Sequence, residues 1–363
     1  MAIIYKETGS LASLLHELEI RGISGFHTLG EILLFQERFQ EVKKRILENT
    51  RSRINNEVIE RREKLRQYRL YLEEKYSNLE RELDQRIESY RRKSEKLISV
   101  PGKNILLRTV QRFRHRHVSK KLRHLEENKE DILKQKTADI REKISREKDE
   151  ISQIFQNKES ILTERSKPEL DSLHHVRHTL EELHPLLAGA IGEERVVQEI
   201  SKLPDHYILI NDYSLRFRKP LYDKRKQEWI YSVQLDHVLI APAGVFLLET
   251  KNWSRASMKD QDLWSPVKQI QRHSYALFRI MNSDQFRDIK NDPWGEVRIP
   301  IRNLLVMIRH KPGNHFRYVK VLKVDELIPY VTRFDDLFTP DEVNRIAEGL
   351  LELIYPASRR RGS

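Results

Sequence analysis

Two different spacings of apolar residues divide the chain. Between about residues 31 and 166 they return every three or four positions; beyond Leu203 they gather into short runs. The first spacing predicts helices. After a short apolar start and a helical segment around Leu11 to Ile20, Gly22 and Gly25 interrupt the pattern, and Thr28 stands as a cap. No proline or glycine then occurs between Gly30 and Ser99, as a very long helix requires. Leu65, Arg69, Leu72, Tyr76, Leu79, Leu83, Arg86, Tyr90 and Leu97 follow the three-and-four steps of a coiled-coil seam. Val100 to Asn104, with Pro101 and Gly102 as the turn, breaks the helix. A second helix follows from Ile105 to Ser166, with Val118, Leu122, Leu125, Ile132, Ile140, Ile144 and Ile151 in step. The two should fold back on each other as an antiparallel hairpin, with arms of about 60 residues reaching roughly 90 Å. Pro168 and Pro185 punctuate its return.

The second spacing predicts strands at Tyr207 to Asn211, Ser232 to Ile240, Val245 to Glu249, Asn303 to Ile308 and Tyr318 to Val324. Helices are expected at Gly192 to Leu203, Pro266 to Met281 and Pro340 to Ile354. The last begins with Thr339, Pro340 and Glu342, a capping box. The order implies an α/β domain around a small mixed sheet flanked by helices, preceded by the helical hairpin. The expected division is a small segment at 1–30, the hairpin at 31–187, the α/β domain at 188–358 and a basic tail at 359–363, whose Arg359 to Arg361 could touch phosphate.

Charge changes the picture of the hairpin. The net charge is +12, and the stretch from Arg91 to His124 holds twelve Lys or Arg against one acid, Glu95. Arg91, Arg92, Lys93, Arg108, Arg112, Arg114, Arg116, Lys120 and Lys121 should therefore meet near the turn, where they would grip a polyanion such as DNA or dock a protein partner. A long arm of this kind also favours homo-oligomers. The mean hydropathy of −0.67 fits long exposed helices. The absence of cysteine excludes disulfides and thiolate metal sites. No apolar run is long enough to span a membrane and no signal peptide is apparent, so the expected compartment is the cytoplasm.

The chemistry gathers in Gln234 to Trp253, which reads as a strand hairpin turning at Ala241-Pro-Ala-Gly244. Residues two apart share a strand face, so Glu249 and Lys251 project together, and Asp236 can meet them from the neighbouring strand. Two carboxylates can hold Mg²⁺ (or Mn²⁺) against a phosphodiester, and an adjacent amine can orient water or stabilise charge on the phosphate oxygens.

Several stretches in fixed order carry a resemblance. They are Gly189-Ala-Ile-Gly-Glu193-Glu-Arg-Val-Val197, Leu235-Asp-His-Val238, Gly244-Val-Phe-Leu-Leu-Glu249-Thr-Lys-Asn-Trp253, then Trp264 and Pro266-Val-Lys-Gln269. Together they resemble the nuclease-related domain (NERD) family of the PD-(D/E)XK nuclease superfamily, over Ala188 to Ile308. The resemblance implies a restriction-endonuclease-like fold, a Mg²⁺-dependent nuclease and DNA rather than RNA as substrate, with anti-phage defence or DNA maintenance as the setting. It implies that Glu193 joins Asp236 and Glu249 at the metal and that Gln269 approaches from the next helix. Gln271, four residues before Tyr275, and Glu194 stand as alternatives for those two positions. Two departures are visible: Ser254-Arg255 replaces a usual glycine, and a long basic stretch, Ser214 to Trp229, precedes the Asp236 strand. The rival reading is an inactive nuclease fold serving as a scaffold that recruits a helicase or ATPase.

Overall fold

A computed structural model of the chain describes residues 1–99, 105–253, 264–283, 286, 291–292, 295–296 and 298–355. The Pro101-Gly102 turn, Lys103, Ser254-Arg255 and the Arg359 to Arg361 tail lie outside the described residues. The chain forms two compact units, Met1–Arg38 with His174–Ser363, and Phe39–Leu173.

The first unit is built on a six-stranded mixed sheet in the order β1-β2-β3-β4-β7-β8. Its strands are β1 (Ile3–Tyr5), β2 (Ile208–Asp223), β3 (Glu228–Ala241), β4 (Gly244–Lys251), β7 (Ile301–Met307) and β8 (Lys320–Lys323). A two-stranded ribbon, β5 (Asn291–Asp292) and β6 (Gly295–Glu296), stands apart. β2, β3 and β4 are antiparallel neighbours, whereas β1, β7 and β8 add in parallel. The expected α/β class is therefore what forms. The basic stretch Ser214 to Trp229 continues β2 and β3 as a long hairpin, with a register shift between Arg216 and Leu221.

Apolar side chains cover both sheet faces. On one, Val267, Ile270 and Leu277 of α8 (Trp264–Met281) and Val343, Ile346 and Leu350 of α10 (Pro340–Ile354) pack on Val238, Ile240, Val245 and Leu247. On the other, Val196 and Ile200 of α7 (His184–Ile200) and Leu327 and Val331 of α9 (Leu327–Val331) pack on Leu239, Phe246, Leu248 and Val306. The capping box of α10 forms as expected: the Glu342 carboxylate accepts from the Thr339 N–H, and Thr339 Oγ1 accepts from the Glu342 N–H. Gly189 and Gly192 lie within α7, not ahead of it. A third cluster joins Leu14 and Leu18 of α1 (Gly9–Ile20) to Ile32, Leu180, Leu187 and Ala190.

In the second unit, α2 (Leu29–Ser99) runs unbroken to its end. The returning chain is segmented into α3 (Ile105–Glu127), α4 (Lys129–Lys136), α5 (Ala138–Gln156) and α6 (Lys158–Glu182), where one helix was expected. The breaks fall at Asn128, Thr137 and Asn157, with φ near −110° and ψ between 5° and 21°. Yet each of these residues still donates to the fourth preceding carbonyl and accepts from the fourth following N–H, so the chain direction is kept and these are local distortions. Pro168 does not end the return either; it lies inside α6.

The arms are antiparallel. Arg61 pairs with Glu147 and Glu150, Lys75 with Asp139, Lys129 with Glu80 and Asp84, and Arg91 with Glu126. The seam differs from the expected one at two places: Arg69 and Arg86 are exposed, while Tyr68 is half-buried and Ile87 buried. Steps of three and four through Ile54, Val58, Arg61, Leu65, Tyr68 and Leu72 keep the apolar side chains inward, with Arg61 half-buried among its ion pairs, and leave Arg69 and Arg86 in water. Among the described residues, no helix is long and apolar enough to cross a membrane.

Candidate active site

The site lies where the β3–β4 pairing gives out. His237 faces Leu248 in the antiparallel register, so Asp236 and Glu249 are opposite one another one step further on. On β2 and β3 the residues facing the α8 side change phase at this level: Ile208 and Ile210 give way to Tyr213 and Leu215, and Ile240 and Val238 to Leu235 and Val233. Asp212, at the same level on β2, has a left-handed φ of 43°. The paired strands thus kink at Asp236, and its carboxylate turns to accept from the Thr250 N–H at 2.7 Å.

Glu249 is 3% exposed. Its Oε1 accepts from Lys251 Nζ at 2.7 Å, as the shared strand face predicts, while Oε2 is buried without a partner. Burial and then repulsion from Glu249 raise the Asp236 carboxyl well above the ordinary carboxylate range, against the pull of Lys251 and the Thr250 N–H. Burial alone would lower the Lys251 ammonium, but Glu249 and Asp236 more than offset it, and its pKa is raised.

Glu193 comes from the middle of α7. Gly192 lets that helix sit close to the end of β4, for a Cβ there would stand 3.2 Å from Asn252 Cβ and 3.3 Å from Thr250 Cγ2. Asn252 in turn donates to the Ala188 carbonyl at 2.8 Å. Glu193 is 6% exposed, and both its oxygens accept from Ser10, one from the hydroxyl and one from the N–H. Burial raises its pKa, partly countered by those bonds. Its charge is felt by both Asp236 and Lys251.

A divalent cation fits this chemistry. The orphaned Glu249 oxygen and the repulsion at Asp236 are what bound positive charge would relieve. Among the described residues, no group of three His, Asp or Glu side chains could hold a metal ion. Asp236, Glu249 and Glu193 are therefore not a ready-made three-ligand cage. Mg²⁺ is commonly held by only one or two carboxylates, with water and phosphate completing its shell.

Comparison with known families now bears on these residues: the nuclease-related domain matches residues 188–308. This stretch of the chain is a NERD domain. No curated protein and no solved structure matches the chain. The NERD domain contains Glu193, Asp236, Glu249, Lys251 and Gln269, but the Ser10 that grips Glu193 lies outside it. Gln269 is exposed and lines a surface cavity of about 480 Å³ with Lys226, Glu228, Lys268, Gln271 and Arg272. Among the described residues, no hydrogen bond or ion pair joins it to Asp236, Glu249 or Lys251. Gln271 donates to the Arg317 carbonyl at 3.1 Å, and Glu194 accepts from Gln198.

His237 points away from the carboxylates. It is fully buried, its Nδ1 lies 2.8 Å from Asn211 Oδ1, and burial pushes its pKa down to about 3. Sequence reasoning missed Ser10, Lys6 and Asp212. Lys6 donates to the Asp212 carbonyl at 2.6 Å and pairs with its carboxylate, fastening the amino-terminal segment at the kink. Only the apolar triplet Ile3-Ile4-Tyr5, readable as an edge strand, could have signalled this.

In the second unit, Arg112, Arg114, Arg116, Lys120 and Lys121 are exposed. Arg91 and Arg92 are instead paired with acids, Glu88 serving both and Glu126 serving Arg91. Lys93 lies over the Tyr90 ring at 5.5 Å. Arg108 lines a cavity of about 710 Å³ with Ile98, Arg112 and Arg116.

Proposed function

We propose that the protein is a metal-dependent nuclease that hydrolyses DNA phosphodiester bonds, in the service of DNA maintenance or anti-phage defence. The observation that carries this reading is the buried Glu249, with one oxygen on Lys251 and the other unpartnered, opposite Asp236 in a kinked strand pair. Asp236 and Glu249 would hold Mg²⁺ or Mn²⁺. The bound ion would supply charge neutralisation at the phosphate and a more acidic water. Lys251, kept cationic by the two carboxylates, donates to oxygens on which negative charge grows. The Thr250 N–H fixes the Asp236 carboxylate, so its aim is set before substrate arrives.

The exposed cations of α3 serve as a second, sequence-independent contact with the DNA backbone. Phe113 favours this assignment: it is 76% exposed between Arg112 and Arg114, where an aromatic face can stack on an unpaired base.

The test is incubation of the purified full chain with linear and circular DNA, and with RNA in parallel, in Mg²⁺, Mn²⁺ or EDTA. Cleavage of DNA by the wild type should require metal, and Asp236→Ala and Lys251→Ala should each lower it by about 10²-fold or more. Wild type and variants behaving alike would remove the enzyme reading in favour of an inactive scaffold.

A further inference from the structure

The amino-terminal segment is built into the candidate site although it lies outside the NERD domain. β1 extends the sheet beside β2, Lys6 holds Asp212 at the kink, and Ser10 binds both oxygens of Glu193. Two glycines make this fit possible. A Cβ on Gly9 would stand 2.9 Å from Asp212 Oδ1, and one on Gly189 would stand 2.8 Å from Ser10 Oγ. The Ser10 hydroxyl therefore occupies the space that the missing Gly189 side chain leaves, one turn before Glu193 on α7.

We propose that Ser10 is a positioning residue for the metal site: it aims the Glu193 carboxylate toward Asp236 and Lys251 and so sets the affinity for a divalent cation. The inference rests on the metal-dependent reading given above.

Ser10 lies in the first turn of α1, where N–H groups lack partners within the helix. The preceding Thr8 makes no side-chain cap, and Glu193 supplies an acceptor from another element, 183 residues away. A buried glutamate gripped through both oxygens has little rotational freedom, yet each oxygen retains a lone pair. Partners of this kind, one step removed from the ion, typically alter metal affinity 10- to 100-fold when removed. A purely structural role, Glu193 capping α1, would change melting of the metal-free protein and leave ion binding alone.

The two roles separate by titrating the full chain with Mn²⁺ and following the free-ion electron paramagnetic resonance signal, with melting in EDTA measured alongside. Wild type should bind, and Ser10→Ala should weaken the dissociation constant about tenfold. Gly189→Ala, which crowds the hydroxyl while improving the helix propensity of α7, should shift affinity the same way without lost stability. Ser13→Ala, an exposed change on the same helix, should bind as wild type does. Ser10→Ala and Gly189→Ala binding Mn²⁺ as tightly as wild type would overturn the role of Ser10 and leave the nuclease reading standing. Wild type that binds no Mn²⁺, like Glu249→Gln, would overturn both.

Discussion

The sheet of the first unit and the helical hairpin of the second are held together differently, and the contrast shows where charge carries information. Every residue of β4 from Gly244 to Thr250 is buried, so Glu249 is a carboxyl group inside an apolar layer, at a cost that a specific use would offset. In the hairpin, full burial is confined to scattered seam positions such as Ile54, Leu83, Ile87 and Ile140, and most charges are at the surface. Ion pairs such as Lys75 with Asp139 then fix register more than they add stability, because exposed pairs contribute about 0–1 kcal/mol. An acid in β4 marks the candidate site, whereas on α3 it is the lack of any acid before Glu126 that stands out.

The largest expected effect lies at that buried charge. Asp236→Asn should lower metal-dependent cleavage by about 10³-fold or more while raising the melting temperature in EDTA, because it removes the repulsion from Glu249. A variant that keeps its activity would erase the distinction between the two regions. Next comes packing: Phe246→Ala, in the sheet core, should cost about 3–5 kcal/mol in chemical denaturation, against about 2 kcal/mol for Leu83→Ala in the seam. Equal losses would mean the hairpin is packed as tightly as the sheet.

Acid should tell the regions apart as well. His237 is neutral when folded, with its pKa lowered to about 3, whereas in the unfolded chain it titrates near pH 6.5. Between those values the unfolded state binds more protons at this group, so the contribution of His237 to stability falls as pH drops. From pH 7 to pH 5 this contribution amounts to about 2 kcal/mol. The raised Asp236 carboxyl acts in the opposite sense, so the test is the difference between the proteins, His237→Gln keeping about 2 kcal/mol more of its stability than the wild type over that range. The smallest effect is expected at the hairpin end. Changing Arg112, Arg114 and Arg116 together to Ala should weaken DNA binding and reduce its salt slope by about 2 to 3, with no loss of fold. An unchanged slope would assign this end to a protein partner.

What the sequence made legible follows the same divide. The β3–β4 hairpin and the Thr339 capping box were readable because strand alternation and cap chemistry are local. The Glu249–Lys251 pair was readable because residues two apart share a strand face. The Ser10–Glu193 contact was not, since nothing in either segment names a partner so far away. β1 is three residues long, too short for any period to show. In the hairpin, Arg69 and Arg86 fit the count of threes and fours, but a one-residue shift to Tyr68 and Ile87 buries apolar area in place of charge. At the interruptions, Asn128, Thr137 and Asn157 each keep their own bonds four residues back and four ahead, and no proline or glycine marks them.

The central claim is that Asp236, Glu249 and Lys251 form a metal-dependent cleavage site. It is tested most directly by single-turnover cleavage of linear duplex DNA at increasing Mg²⁺, comparing wild type with Glu249→Gln. The account predicts saturable, Mg²⁺-dependent cleavage by the wild type and a loss of about 10³-fold in the variant, with its fold retained. Cleavage that is equal in both proteins, or absent from both at every Mg²⁺ concentration, would contradict it.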